Sequence, residues 1–265
     1  MAARVRHLNC GTLRPPGGRM VCHCLLAETE RGLALIDSGF GLGDVADPPR
    51  SAYLRLLTRP RLDPAETAAH QVAALGYARA DVTDVVLTHL DLDHAGGLRD
   101  FPAARVHVLE AELRAATRPA TWLERFRYVA RQWAHGPEWV TYDSSGGDRW
   151  LGLDGARELR EVPGIALVPL AGHSRGHAGV AVETETGWLL HAGDAYFARG
   201  EVDPSAPRPA RGVEAFQHGF QADGAARRDN RRRLRELAAS DGDRVAMTCS
   251  HDPVELKRLQ RRYSR

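Results

Sequence analysis

Thr88-His89-Leu90-Asp91-Leu92-Asp93-His94-Ala95-Gly96-Gly97 is the stretch on which the reading of this chain turns. It follows Asp84-Val85-Val86-Leu87, a short apolar run of the kind that forms a buried strand. Four metal-competent side chains (His89, Asp91, Asp93 and His94) fall within six residues. Carboxylates and imidazoles packed this densely beside a buried strand are costly unless something binds them. In an extended or looping backbone His89, Asp91 and Asp93 alternate onto one side. His94 then takes up the turn, and Gly96-Gly97 permits close backbone approach as a helix begins.

Working outward, Met20 to Glu28 and Leu33 to Ile36 read as strands joined by the turn Thr29-Glu30-Arg31-Gly32. Asp37-Ser38-Gly39-Phe40-Gly41 follows as a tight glycine-rich loop, and Asp44 to Pro64 reads as irregular. Glu66 to Leu75 is a helix with Asp63 as N-cap. Arg105 to Leu109 is a strand, and Ala111 to Ala116 begins a helix. Residues 117–150 hold Trp122, Trp133, Trp139 and Trp150, have helical spacing up to about Trp133, and read as a Trp-rich helical insertion that forms a lid or an interface, or else an ordinary helical layer with aromatic core contacts. Beyond it lie strand signals at Arg157 to Val162, Ile165 to Leu170, Gly179 to Thr184, Trp188 to Ala192 and Arg244 to Cys249. Arg-rich Ala225 to Ala239 and Pro253 to Arg262 read as helices. Two β-rich halves, each followed by helices and with no long linker, predict an α/β chain of one domain over 1–265, with two packed sheets and helices outside.

Composition narrows the field. The 265 residues are 43% hydrophobic and 26% charged, with net charge +2, an ordinary globular balance that favours neither nucleic acid nor an anionic membrane. Arginines cluster at Arg227 to Arg235 and Arg258 to Arg265, which reads as solvated helix faces. Cys10, Cys22, Cys24 and Cys249 have the spacing of neither a zinc ribbon nor a disulfide framework and read as small buried side chains. Neither a secretory leader nor a membrane-span pattern is legible, so a cytoplasmic protein is expected. His23, His107, His135 and His218 lack partner spacing and read as structural or solvated.

The decad resembles the His-x-His-x-Asp-His signature loop of the metallo-β-lactamase superfamily. Four other segments resemble that family's landmarks, in order: Ile36-Asp37-Ser38-Gly39, Gly172-His173-Ser174-Arg175-Gly176-His177, Gly193-Asp194-Ala195 and Ser250-His251-Asp252. Together they span about residues 20 to 255. The resemblance implies an αββα four-layer sandwich of two mixed β-sheets flanked by helices. It also implies a binuclear site, with His89, Asp91 and His173 on one metal, Asp93, His94 and His251 on the other, and Asp194 bridging them. A single-metal site is the alternative. Asp91 stands where most of the family has His. As an anion it lowers the positive charge of the site and makes the first metal a weaker Lewis acid; two zinc ions are the expected cofactors, with iron or manganese the alternatives that Asp91 brings in.

Such a site implies hydrolysis of a small ester-like substrate (lactone, thioester or related acyl compound) by a metal-activated water. Asp93 or Asp194 would move protons. Family lactonases acting on acyl-homoserine lactones carry a Tyr close after the bridging Asp, and Tyr196, offset by one residue, is the matching candidate to hydrogen-bond an oxyanion. His177 and His191 are candidates to support the ligands from behind. An iron-dependent redox protein, and a phosphodiesterase or nuclease, are the alternatives. The expected partner is a small molecule rather than nucleic acid or membrane, and the oligomeric state stays open, a homodimer included.

Overall fold

The computed structural model describes residues 2–16, 18–48 and 57–263. Its first sheet is built from β1 (Arg4–Leu13), β2 (Met20–Thr29), β3 (Gly32–Ile36), β4 (Val82–Val86), β5 (Arg105–Leu109) and β6 (Glu138–Tyr142), which lie side by side in chain order. The pairs β1/β2 and β2/β3 are antiparallel, and β3 to β6 run parallel. With this half go α1 (Leu42–Ala46), α2 (Ala68–Ala74), α3 (Leu92–Ala95), α4 (Glu110–Thr117) and α5 (Trp122–Arg127). The second sheet is ordered β12-β11-β10-β9-β8-β7, from β7 (Asp148–Trp150), β8 (Leu153–Glu158), β9 (Ile165–Pro169), β10 (Ala178–Thr184), β11 (Gly187–His191) and β12 (Val245–Thr248). Only β11/β12 is parallel there. Its helices are α6 (Arg211–Phe220), α7 (Gly224–Ser240) and α8 (Pro253–Tyr263).

Period-two side chains explain the layering. Leu25, Ala27, Ala34 and Ile36 of the first sheet meet Leu167, Val180, Val182 and Leu189 of the second between the sheets. The alternate positions Cys24, Leu26, Leu33 and Leu35 pack outward on Ala68, Ala69 and Val72 of α2. On the far side Ala166, Val168, Ala181 and Leu190 pack on Leu234 and Leu237 of α7. Helix, sheet, sheet, helix is therefore the order of layers, as expected of a chain whose strands are apolar on both faces.

The structure departs from expectation in particular places. Asp63 caps only a 3-10 turn at Pro64–Glu66, and α2 starts after Thr67, whose hydroxyl accepts from the His70 amide. The strand read over Arg157 to Val162 lies earlier, at Leu153–Glu158. Part of the irregular stretch Asp44 to Pro64 lies outside the described residues. The 117–150 segment is helical through Trp133, where its helical spacing ends, but β6 and β7 then extend one sheet each, which the sequence did not show. Its tryptophans disperse accordingly. Trp133 and Trp139 lean on the first sheet's outer core, Trp150 stacks edge-on against Trp188, and Trp122 is 76% exposed. No helix among the described residues is long and apolar enough to cross a membrane.

Candidate metal centre

The seven sequence-predicted ligands all leave the carboxyl ends of strands, where open α/β sheets place their ligand crevices. His89, Asp91, Asp93 and His94 follow β4, His173 follows β9, Asp194 follows β11 and His251 follows β12. The structure brings all seven together, as three overlapping groups: His89, Asp91 and His173; His89, His94 and Asp194; Asp93, His94 and His251. Asp194 is common ground. Its Oδ2 lies 3.1 Å from His251 Nε2, 3.4 Å from His173 Nε2 and 4.0 Å from His89 Nε2, and its Oδ1 lies 3.5 Å from His94 Nε2. The local backbone differs from the extended loop expected: α3 begins at Leu92, so Asp93 and His94 ride on a helical turn.

Hydrogen bonds behind the imidazoles fix which nitrogen faces the centre. Asp37 accepts from the Thr88 amide and hydroxyl, both at 2.8 Å, and from His94 Nδ1 at 2.9 Å. Because the Thr88 hydroxyl is spent on Asp37, His89 Nδ1 donates to it at 2.9 Å. His251 Nδ1 donates to the Val21 carbonyl at 2.8 Å. Each ring therefore turns its Nε2 inward. Ser38 clamps the same loop, its hydroxyl donating to the His94 carbonyl and accepting from the Gly97 amide. His177 supports the site through backbone bonds: Nδ1 donates to the Leu170 carbonyl, and Nε2 accepts the Asp194 amide at 2.8 Å. His191 accepts from the Gly193 amide and donates to the His23 carbonyl. Gly193 has φ +55°, and a Cβ there would lie 2.5 Å from His177 Nε2, so the turn that delivers Asp194 requires glycine.

These residues fit a metal on their own chemistry. His89 Nε2, His94 Nε2 and Asp194 Oδ1 are buried and find no hydrogen-bond partner. Unpartnered buried polar atoms of this kind are expensive, and a cation would satisfy all three once His94 has lost its Nε2 proton. Burial opposes charge on Asp194, yet His251, His94 and His173 hold its carboxyl well below the usual range. Burial likewise opposes charge on His94, but Asp194, Asp93 and Asp37 outweigh it, and its pKa is pushed up to about 10. With Nδ1 committed to Asp37, that proton sits on Nε2 and must leave for a metal to bind. Metal uptake is thus expected to release protons and to weaken as pH falls, by about tenfold per unit for each proton displaced. An indicator dye in weakly buffered solution during metal titration reads this directly; uptake with no proton release would contradict it.

Tyr196 does not join the site. It is fully buried in the core under α7, its hydroxyl 3.3 and 3.4 Å from the two Glu255 oxygens. The chain turns at Gly193, and the next side chain, Phe197, is the one that faces the centre. Tyr196→Phe is accordingly expected to leave turnover within about twofold of wild type, since a catalytic group must reach the reacting atoms. A kcat loss beyond tenfold would return it to the mechanism. The cooler expectations for other histidines agree with their placement: His107 donates or accepts between Asp84 and Tyr142, and His23 between His7 and Thr248. All four cysteines are free and buried.

Two residues that sequence reasoning missed hold the site in shape. Glu112 of α4 is fully buried and accepts from the Leu90 amide, the Tyr128 hydroxyl, the Ser174 hydroxyl and the Gly176 amide, so it ties the two ligand loops together. Arg127, the last residue of α5, lies with Nε 3.3 Å from Asp91 Oδ1 and donates from Nη1 to the His173 carbonyl. Burial works against charge on Asp91, but Arg127 and His89 hold its carboxyl well below the usual range. Nothing in their local sequence marks either residue; the helical pattern around them is ordinary.

Above the ligands stands an apolar wall. Leu13, Met20, Phe126, Phe197, Phe216 and Phe220 line a pocket whose floor is Asp91, Asp93, His173, Asp194 and His251. Arg127 is the only Arg or Lys among its described lining residues.

Comparison with known proteins gives a consistent picture. The model of the family described as Metallo-beta-lactamase superfamily matches residues 17–248. The probable metallo-hydrolase Rv2300c of Mycobacterium tuberculosis is 43% identical over 256 residues, 94% of this chain and 80% of the relative. An N-acyl homoserine lactonase of Bacillus sp. is 25% identical over 187 residues, 69% of this chain and 67% of that one. Among solved structures, an N-acyl homoserine lactone hydrolase with the product N-hexanoyl-L-homoserine at its catalytic metal center superposes with a TM-score of 0.73 at 21% identity, covering 97% of each chain. That last likeness speaks to the fold alone.

Proposed function

This chain belongs to the metallo-beta-lactamase superfamily, and on that premise we propose that it hydrolyses a small uncharged ester-like substrate, a lactone with an apolar substituent before a thioester. The observation that carries this is the joining of an inward-facing cluster of imidazoles and carboxylates to an aromatic, apolar wall. A phosphodiester would call for cationic side chains aimed into the pocket. Arg127 is instead engaged by Asp91 and by backbone carbonyls. The lactonase relatives support the choice of a cyclic ester.

His89, Asp91 and His173 would hold one divalent cation and Asp93, His94 and His251 a second, with Asp194 shared; we assign zinc to both. Bound there, the pair would supply Lewis acidity toward the carbonyl and an activated water. The chain's own part is to orient and to move protons. Asp194, buried and fixed through its amide by His177, holds its position through the reaction. Asp93 is 18% exposed and forms part of the pocket floor, which suits it to take up and return a proton at its carboxylate. Phe197, Phe216 and Phe220 exclude water from the apolar side of the substrate.

The test is a panel on metal-replete protein: acyl-homoserine lactones of increasing chain length, a simple γ-lactone, a thioester, and a phosphodiester, with metal content measured alongside. Lactone turnover is expected, with KM falling as the acyl chain lengthens. Cleavage of the phosphodiester in preference to every acyl substrate would overturn the reading, and stoichiometric iron with a visible absorption band would overturn the zinc assignment.

A further inference from the structure

Asp91 divides its two oxygens. Oδ2 faces the centre, 3.0 Å from His173 Nε2 and 3.4 Å from His89 Nε2, while Oδ1 turns to Arg127 Nε at 3.3 Å. The arginine side chain is only 4% exposed. Nη1 and Nη2 donate to the His173 and Phe220 carbonyls, while Nε meets Asp91 Oδ1 as an ion pair without a hydrogen bond, so each guanidinium nitrogen faces a protein oxygen. That commitment argues against a substrate-binding arginine. The placement is enforced by the backbone as well: a β-bridge pairs Asp91 with Tyr128, which delivers the end of α5 onto the metal loop, and Tyr128 is in turn held by Glu112.

We propose that Arg127 is a positioning residue that supplies the counter-charge for Asp91, so that Asp91 and Arg127 together offer the first metal-binding group one oxygen from a charge-neutral unit, as an imidazole would offer one nitrogen. A lone third carboxylate beside Asp93 and Asp194 would crowd negative charge into a small buried space. A buried guanidinium without a carboxylate would be equally unfavourable. The two are therefore interdependent. This revises the expectation from the sequence, where Asp91 was an anion that weakens the first metal: the charge it adds is balanced from α5. The proposal rests on the metal reading above.

A double-mutant cycle tests it, using full-length Asp91→His, Arg127→Gln and the combined variant beside wild type. Two readouts are taken: the melting temperature of the metal-free protein, and metal bound per chain after loading and desalting. Asp91→His leaves the guanidinium facing an imidazole, so it is expected to melt below wild type and to carry fewer metal ions. Arg127→Gln leaves Asp91 uncompensated and is also expected to melt lower. The combined variant is expected to melt above either single variant and to recover the wild-type metal count, a rescue that a merely structural arginine does not produce. Arg127→Lys, which keeps the charge, is expected to hold the wild-type metal count. Additive melting losses in the combined variant would overturn the pairing. Wild-type protein that takes up no metal would overturn the metal reading, and the ligand role of Asp91 with it, while the metal-free melting cycle would still decide the pairing.

Discussion

An Asp194→Ala variant is expected to lose about a thousandfold in kcat/KM and most of its bound metal while keeping its fold. Lewis-acid assistance is worth several kcal/mol, and each 1.36 kcal/mol is a factor of ten, so about 4 kcal/mol gives roughly that loss. The effect is placed at Asp194 because, among the described residues, this carboxylate alone approaches four imidazoles drawn from the other three ligand-bearing segments: His89, His94, His173 and His251. Removing it disconnects the two groups rather than thinning one. The fold should survive, since Gly193, His177 and His191 position the turn through backbone bonds that the substitution leaves in place. Metal analysis, kinetics on the lactone panel and circular dichroism check the three parts. Wild-type metal content with wild-type turnover would remove Asp194 from the centre of the mechanism.

Glu112→Ala tests stability rather than chemistry. Four donors on three segments converge on this one buried carboxylate: the Leu90 and Gly176 amides at 3.0 Å each, the Ser174 hydroxyl at 2.7 Å and the Tyr128 hydroxyl at 3.1 Å. Truncation leaves them buried without an acceptor. A stranded buried donor costs about 1–3 kcal/mol, and relaxation lets neighbouring losses overlap, so a total of about 4 kcal/mol is expected. For a chain of this size that lowers the melting temperature by roughly 10 °C. Metal affinity should fall with it, because Leu90 lies between His89 and Asp91, and Gly176 lies between His173 and His177. Glu112→Gln keeps one accepting oxygen but turns an amide NH2 on the remaining donors, and is expected to lose about half as much. Melting within about 2 °C of wild type for the alanine variant would show that the donors find other partners, and the role given to Glu112 would fail.

Much of the site was legible because its marks are local. His89 to His94 is dense in ligand types over a few residues, and the turns before Asp194 and after Ile36 carry glycine where the backbone needs it. The strands from Met20 to Ile36 alternate in a way that any sheet would accept. What escaped reading depends on partners far along the chain. Glu112 looks like an ordinary helical glutamate until Leu90, Ser174 and Gly176 are placed around it. Tyr196 sits two residues from Asp194, yet the turn at Gly193 sends its ring to Glu255 and the outer core instead. β6 and β7 were hidden because short edge strands carry weak patterns of their own and gain their state by pairing with β5 and β8.

By itself, then, the amino-acid order determined which atoms are available to grip a cation and the short backbone segments that present them, since donor chemistry and turn preference act over a few residues. Tertiary packing alone decided which charges and walls surround those atoms. It set Arg127 against Asp91, buried the Tyr196 hydroxyl, and raised Phe197, Phe216 and Phe220 over the ligands. Electrostatic compensation and pocket shape depend on distances between remote parts of the chain, and those distances exist only once the two sheets have closed on each other.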